Sequence, residues 1–199
     1  MKARRGVAVL VASIVAVLAT LVTTAAPASA GDAVSIPSDT PLRLINYNDF
    51  LCVQPVAGNG VQSWDNGAPI QQLTCGNNVP NYWTAHYVGN LSLGVCPAGT
   101  FCQDRVPVYQ LMSNFSGKCL DLTGESKAPW TPLTQITCTS GDLSTYWFVG
   151  SGDFNGTYIF GNFYSHLCLD VYGASTSVGA TIQEWTCTTR NVAQNFYYV

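Results

Sequence analysis

Asp170, Gln183 and Trp185 are the residues of this sequence best suited to chemistry, and they lie between two cysteines in the segment 167–187. The carboxylate of Asp170 accepts hydrogen bonds, the amide of Gln183 donates and accepts them, and the indole of Trp185 offers a flat apolar face. A pyranose ring needs this combination, because its hydroxyl groups bond to carboxylates and amides while its C–H face lies on an aromatic ring. The segment therefore predicts a shallow saccharide site.

This segment is the third copy of a pattern that the chain repeats. Alternating apolar residues precede Cys52, Cys119 and Cys168, and each unit closes on a second cysteine in IQQLTC, LTQITC or TIQEWTC. The two cysteines of a unit are 23 residues apart in the first unit and 19 apart in the other two. An aromatic residue then follows in each unit, namely Trp83, Trp147 or Phe196.

The eight cysteines predict a disulfide framework. The recurring spacing pairs six of them within units, and the other two lie in an insertion after the first unit, so the predicted bridges are Cys52–Cys75, Cys119–Cys138, Cys168–Cys187 and Cys96–Cys102. A closed loop of about 20 residues contributes roughly 3 kcal/mol in the chain-entropy model. Zinc binding is the alternative, but His86 and His166 stand apart and no CxxC pair occurs. We expect no metal and no other cofactor.

Short alternating strands separated by Gly, Asn, Ser and Thr turns predict an all-β fold. Beyond the N-terminal region, no stretch shows a helical stripe of apolar residues. Three units of roughly four short strands favour a closed three-fold body, because closure leaves no exposed strand edge. We expect Trp83, Trp147 and Phe196 in its core, near the pseudo-axis.

A structural alternative exists for the candidate site, in which Asp170 caps a turn and Trp185 packs in the core. Two other tryptophans, Trp83 and Trp147, already stand at matching core positions. Trp185 alternates with the inward-facing positions of its strand, which favours exposure. Tyr172 lies two residues beyond Asp170 and is expected at the rim of the site.

The first thirty residues have the pattern of a secretory signal peptide. A basic start at residues 2–5 precedes an apolar run at 7–22, and the small residues 26–30 offer a cleavage site. The alternative, a membrane-spanning segment, is disfavoured by the short run and the cleavage pattern. We therefore expect a secreted, extracellular protein whose mature chain begins with a segment at 31–40.

The charge of the mature chain limits its partners. Three of the eight basic residues and none of the eleven acidic residues lie in the first thirty, so the mature chain carries a formal charge of −6. This balance argues against nucleic acids, which require a basic surface, and against anionic membranes.

The motifs resemble those of the ricin B-type lectin family of β-trefoil carbohydrate-binding domains, over residues 41–199. The third unit has CLDV at 168–171 and QEWTC at 183–187, the second has CLDL at 119–122, and the first diverges most, with CVQP at 52–55. The resemblance implies a twelve-stranded β-trefoil with up to one sugar site per repeat. The implied repeats are about 41–88, 107–149 and 156–199, with a disulfide-tied insertion at 89–106.

The resemblance also implies which units bind sugar. In the third unit, Gln194 and Asn195 occupy the places where the family has an asparagine–glutamine pair, in swapped order, and they complete the set around the carboxylate. The second unit keeps Asp121 but lacks the site tryptophan, so it is a weaker site in which Trp130 would substitute. The first unit has Gln54 in place of the aspartate and is not expected to bind sugar in this manner.

Sequence and resemblance together predict a non-catalytic protein that binds a glycan or polysaccharide mainly through the third unit. A glycosidase needs two carboxylates across one cleft, whereas the acidic residues here are scattered. The expected partner is a galactose-type sugar or a plant or microbial polysaccharide. The alternative is a β-trefoil inhibitor of a hydrolase or protease, presenting the loop CPAGTFC at 96–102, or an interaction scaffold without a glycan site.

Overall fold

The fold is built from thirteen β-strands within the residues that the computed structural model describes, 33–56, 63–76, 81–93 and 105–199. These residues contain no α-helix, so the all-β prediction is confirmed. The strands are β1 (Pro41–Leu42), β2 (Leu44–Asn46), β3 (Cys52–Pro55), β4 (Ile70–Leu73), β5 (Trp83–Leu91), β6 (Val106–Ser113), β7 (Lys118–Leu122), β8 (Leu133–Thr137), β9 (Tyr146–Ser151), β10 (Tyr158–Asn162), β11 (Cys168–Val171), β12 (Ile182–Trp185) and β13 (Phe196–Tyr198). Short 3-10 turns span Thr123–Glu125, Leu143–Thr145, Tyr172–Ala174 and Val192–Gln194.

The strands pair in an antiparallel manner and form one continuous sheet. Its path runs β1–β5–β6–β9–β10–β13–β2–β3–β4, and the hairpins β7–β8 and β11–β12 branch from β6 and β10. Isolated bridges join the hairpins β3–β4, β7–β8 and β11–β12 to one another, at Pro69–Thr134, Gln71–Thr181 and Pro132–Gln183. Each of these three hairpins therefore contacts the other two, and together they form a closed ring.

Two details differ from the strand plan that the resemblance implies. The first strand is interrupted at Arg43, whose N–H donates to the carbonyl of Val199. The two halves of this strand are β1, which pairs with β5, and β2, which pairs with β13, so thirteen strands replace twelve. The strands β5 and β6 stay paired as far as Leu91 and Val106, so the predicted insertion at 89–106 begins and ends as strand.

Several sequence predictions fall outside the described residues. They are the signal peptide at 1–30, the bridge Cys96–Cys102 and the loop at 96–102. Within the described ranges, no helix has the length and apolarity needed to cross a bilayer.

Three disulfides close the open ends of the three hairpins. The bridges are Cys52–Cys75, Cys119–Cys138 and Cys168–Cys187, with Cα–Cα distances of 5.1, 5.0 and 5.1 Å, as predicted from the recurring spacing. In each hairpin the first cysteine lies opposite the residue two positions before the second, in the pairs Cys52–Leu73, Cys119–Ile136 and Cys168–Trp185. The same register therefore recurs in all three hairpins.

The recurring aromatic residues Trp83, Trp147 and Phe196 are fully buried, which confirms their predicted place in the core. The indole nitrogens of the two tryptophans donate to backbone carbonyls of the neighbouring hairpins, to Val53 at 2.9 Å and to Leu120 at 3.1 Å. Each hairpin in turn contributes buried aliphatic side chains to the same core. The three hairpins thus pack against one shared core, and close packing restricts the positions of their side chains.

Candidate functional site

A shallow hollow of about 240 Å³ lies over the hairpin β11–β12. Most of its lining comes from the third unit, but one side chain comes from the loop between β7 and β8 of the second unit. The lining residues are Trp130, Asp170, Gly173, Ala174, Gln183, Trp185, Asn191 and Ala193. The hollow therefore contains the acid, the amide and the indole that the sequence predicts together.

Asp170 and Gln183 lie opposite each other on β11 and β12, so their side chains share one face of the hairpin. The Gln183 amide donates to Oδ1 of Asp170 at 2.9 Å, and the Asn191 amide donates to Oδ2 at 3.4 Å. Asp170 is only 4% exposed, and this burial raises its pKa, while hydrogen bonds from the amides of Gln183, Gln194 and Asn191 oppose the rise. The carboxylate is thus oriented with its acceptor oxygens at the floor of the hollow.

The aromatic wall of the hollow combines two units. Trp185, at the end of β12, is half-buried, and its ring centroid lies 3.8 Å from that of Trp130, with the planes inclined at 52°. Trp130 is 54% exposed, and its ring also contacts the ring of Tyr172, whose centroid is 5.8 Å away. The structural alternative that placed Trp185 in the core does not fit this arrangement, because the indole lines an open hollow.

Gln194 and Asn195 are fully buried and do not line the hollow. The Gln194 side chain accepts from the N–H of Thr188 and donates to the carbonyl of Thr186. The Asn195 side chain accepts from the N–H of Asp153 and donates to a backbone carbonyl in its own turn. Both amides thus hold the last turn of the chain in place, and Gln194 also hydrogen-bonds to the carboxylate of Asp170.

Asn191 is a further amide beside Asp170, and unlike Gln194 and Asn195 it lines the hollow. It caps the 3-10 turn Val192–Gln194, because its Oδ1 accepts from the N–H of Ala193 at 3.0 Å, and this leaves the Nδ2 group to point at Asp170. An asparagine at the start of a short turn is a capping signal. That signal could have identified Asn191 from the sequence.

In the second unit the carboxylate and the tryptophan that were predicted together lie apart. Asp121 is buried and accepts from the hydroxyl of Ser144 at 2.6 Å, beside a hollow of about 420 Å³ that Ser144 lines. Trp130 lines the hollow of the third unit and not this one. The pKa of Asp121 is raised, and burial is the main cause. Ile136 stands where the third unit has Trp185, so no aromatic side chain faces Asp121 from β8.

The first unit has no carboxylate at this position. The Gln54 amide donates to Oδ1 of Asn81 at 2.9 Å in a buried contact. Among the described residues no three side chains of the types His, Cys, Asp and Glu are grouped as a metal site requires.

Comparisons with known proteins agree with this architecture. Residues 100–196 match a family model described as the ricin-type β-trefoil lectin domain-like family. No curated protein matches the chain in sequence. Two similar solved structures have nearly the same length as the matched region: a designed three-fold symmetric protein, ThreeFoil (23% identity, 80% of this chain, 97% of that chain, TM-score 0.61), and the Macrolepiota procera ricin B-like lectin in complex with lactose (16% identity, 83% and 98%, TM-score 0.58).

An enzyme is also among the similar structures. It is the exo-β-1,3-galactanase of Clostridium thermocellum, with 25% identity and a TM-score of 0.65, and the match covers 83% of this chain but 31% of that enzyme. The family match and the similar structures identify the fold as a β-trefoil.

Proposed function

Because residues 100–196 match the model of the ricin-type β-trefoil lectin domain-like family, we propose that the chain belongs to this family and is a secreted, non-catalytic carbohydrate-binding protein. Its main site is the hollow of the third unit. The observation that carries this proposal is the convergence of a buried carboxylate, Asp170, and two aromatic faces, Trp185 and Trp130, on one open hollow. The recurring hairpin register supports the further interpretation of three repeats, and among the residues that the structure describes the third repeat alone has this set.

The hollow suits a sugar ring for three reasons. The oxygens of Asp170 accept hydrogen bonds from two neighbouring hydroxyl groups, and each such bond to a charged group contributes about 1.5–3 kcal/mol. The amide of Asn191, at the edge of the hollow, serves a further hydroxyl. The inclined indoles of Trp185 and Trp130 present apolar faces to the C–H side of the ring.

A galactose-type sugar is the ligand class that we propose, either free or at the end of a plant or microbial polysaccharide. Lectins of similar structure are in complex with lactose and with GalNAc, which supports this class. A single shallow site buries few ligand atoms, so we expect a dissociation constant of the order of 1 mM for a monosaccharide. Binding to a polymer at several points would raise the avidity.

The test compares matched pairs of variants on a glycan array and by titration calorimetry. Asp170→Asn keeps the size of the side chain but removes the charge, and we expect roughly 10- to 100-fold weaker binding. Trp185→Ala removes the stacking face and should abolish the signal. The matched controls are Asp121→Asn and Ile136→Ala, which alter the equivalent positions of the second unit.

We expect both controls to bind as the unaltered protein does, and near-ultraviolet circular dichroism verifies that all four variants are folded. The proposal fails if both variants of the third unit bind like the unaltered protein, or if no glycan is bound at all. Inhibition of a protease without retention on any sugar resin would favour the inhibitor alternative.

A further inference from the structure

Three buried polar side chains occupy equivalent positions in the ring of hairpins, namely Gln72 on β4, Gln135 on β8 and Glu184 on β12, and each is fully buried. The backbone of each residue bonds to the loop of a neighbouring hairpin through both its N–H and its carbonyl. The carbonyls accept from Gly179, Gly67 and Trp130, and the N–H groups donate to Ala180, Ala68 and Thr131, respectively. All three residues therefore join adjacent hairpins.

The two glutamines extend this connection with their side chains. The Nε2 group of Gln72 donates to the carbonyls of Ser175 and Ser177 at 2.7 and 3.1 Å. The Nε2 group of Gln135 donates to the carbonyls of Ser63 and Asp65 at 2.9 and 3.0 Å. In both hairpins a side-chain donor thus meets two carbonyls of the adjoining loop.

Glu184 lacks this donor when it is ionised. Its Oε1 accepts from the hydroxyl of Ser165 at 2.7 Å, but its Oε2 is buried and receives no hydrogen bond. The loop that its backbone contacts is the β7–β8 loop, in which Ser126 and Ala128 are the counterparts of Ser175 and Ser177. A proton on Oε2 supplies the donor that the glutamines carry, whereas a carboxylate would bury an uncompensated charge.

The surroundings of Glu184 favour the acid form. Its pKa is raised to about 8, chiefly by burial and also by the charge of Asp121 on β7, while the hydrogen bond from Ser165 opposes the rise. Asp170 lies on the opposite face of the hairpin, beside Gln183. The adjoining segments also carry Lys118 on β7, whose ammonium donates to the hydroxyl of Thr137, and Glu125, which is exposed. The ammonium of Lys127 lies 4.0 Å from the Tyr164 ring, and the pKa of His166 is lowered by burial and by Lys127.

We propose that Glu184 is a positioning residue for the sugar hollow. In its acid form it donates a hydrogen bond to the β7–β8 loop and holds Trp130 against Trp185, and its ionisation releases that loop. The link is short, because the N–H of Trp130 donates to the carbonyl of Glu184 at 2.9 Å and the N–H of Glu184 donates to Thr131 at 2.9 Å. The consequence for sugar binding rests on the proposed function, whereas the placement of the loop does not.

The decisive variant is Glu184→Gln, which carries the donor permanently, as its two counterparts do. The near-ultraviolet circular dichroism of the coupled indoles is recorded between about pH 6 and pH 9.5, a range that includes the pKa near 8. We expect a spectral transition near pH 8 in the unaltered protein, none in Glu184→Gln and none in Trp130→Phe. The matched control is Glu125→Gln, an exposed glutamate of the same loop, which should retain the transition.

Titration with lactose over the same range provides the second readout. We expect the affinity of the unaltered protein to fall roughly three- to tenfold above the transition, because the indole of Trp130 no longer contacts the sugar. Glu184→Gln should keep its neutral-pH affinity over the whole range. A flat spectrum in the unaltered protein, or a transition that persists in Glu184→Gln, overturns the proposal. If lactose and other sugars bind at no pH, the proposed function fails, and the spectra alone still decide the role of Glu184.

Discussion

The burial of Glu184 predicts that a single substitution makes the stability of the protein less dependent on pH. In the unfolded chain this glutamate ionises at the ordinary value of 4.5, while in the folded protein burial raises its pKa to about 8. Between these two values the unfolded state binds fewer protons than the folded state, so the free energy of unfolding falls as pH rises. The contribution of the acid form is complete below pH 4.5 and is lost by about pH 8.

The size of the effect follows from the two pKa values. Each unit of separation corresponds to about 1.4 kcal/mol, so the separation from 4.5 to about 8 amounts to about 5 kcal/mol at most. Glu184→Gln removes this titration and keeps a donor towards the β7–β8 loop. We expect the variant to match the unaltered protein near pH 4.5 and to exceed its free energy of unfolding by about 3–5 kcal/mol above pH 8.

Urea unfolding with the disulfides intact, followed by tryptophan fluorescence, measures this difference at about pH 5 and about pH 8.5. The titration of all other groups cancels when the two proteins are compared at the same pH. Glu125→Gln, which replaces an exposed glutamate, should leave the pH dependence unchanged. An equal difference in unfolding free energy at both pH values would refute the reasoning, because a packing effect alone is independent of pH.

The other predictions concern the acid side of the binding profile and the core. Sugar binding requires the carboxylate form of Asp170, and burial raises the pKa of this side chain, so affinity should fall on acidification at a higher pH than an ordinary aspartate would give. Calorimetry between about pH 3 and pH 7 measures this fall. A pH profile that is the same in Asp170→Asn as in the unaltered protein would contradict the prediction. Gly161→Ala places a methyl group against the Phe148 ring and should cost about 1–3 kcal/mol. Phe148→Leu should partly relieve that cost in the double variant. If the unfolding free energies of the two single variants simply add, the added methyl group does not overlap with the Phe148 ring.

Much of the fold was predictable because its signals are local. The spacing of Cys119–Cys138 and Cys168–Cys187, together with the matching flanks, is sufficient to identify the hairpins and their bridges. Alternation along each strand similarly identifies Asp170 and Gln183 as neighbours, since residues on one face of a hairpin are set by register.

Other features depended on parts of the chain that only the fold brings together. The sequence predicts that Trp130 serves the site of Asp121, but in the structure Trp130 lines the hollow of the next unit, because its loop bonds to β12 through the backbone of Glu184. The orientation of the amides near the C-terminus likewise depends on a turn that directs Asn195 inward. Neither contact has a periodic signature in the sequence.

The sequence by itself determined the all-β architecture, the three disulfide-closed hairpins and the pairing of an acid with an amide in the last of them. These follow from cysteine spacing and a two-residue period, which act over about twenty residues. The tertiary structure alone decided which indole joins Trp185 and that Glu184 is buried without a partner for one oxygen. The physical reason is that closing the ring of hairpins sets each loop against a different unit, and burial in that ring determines the charge state of the groups inside it.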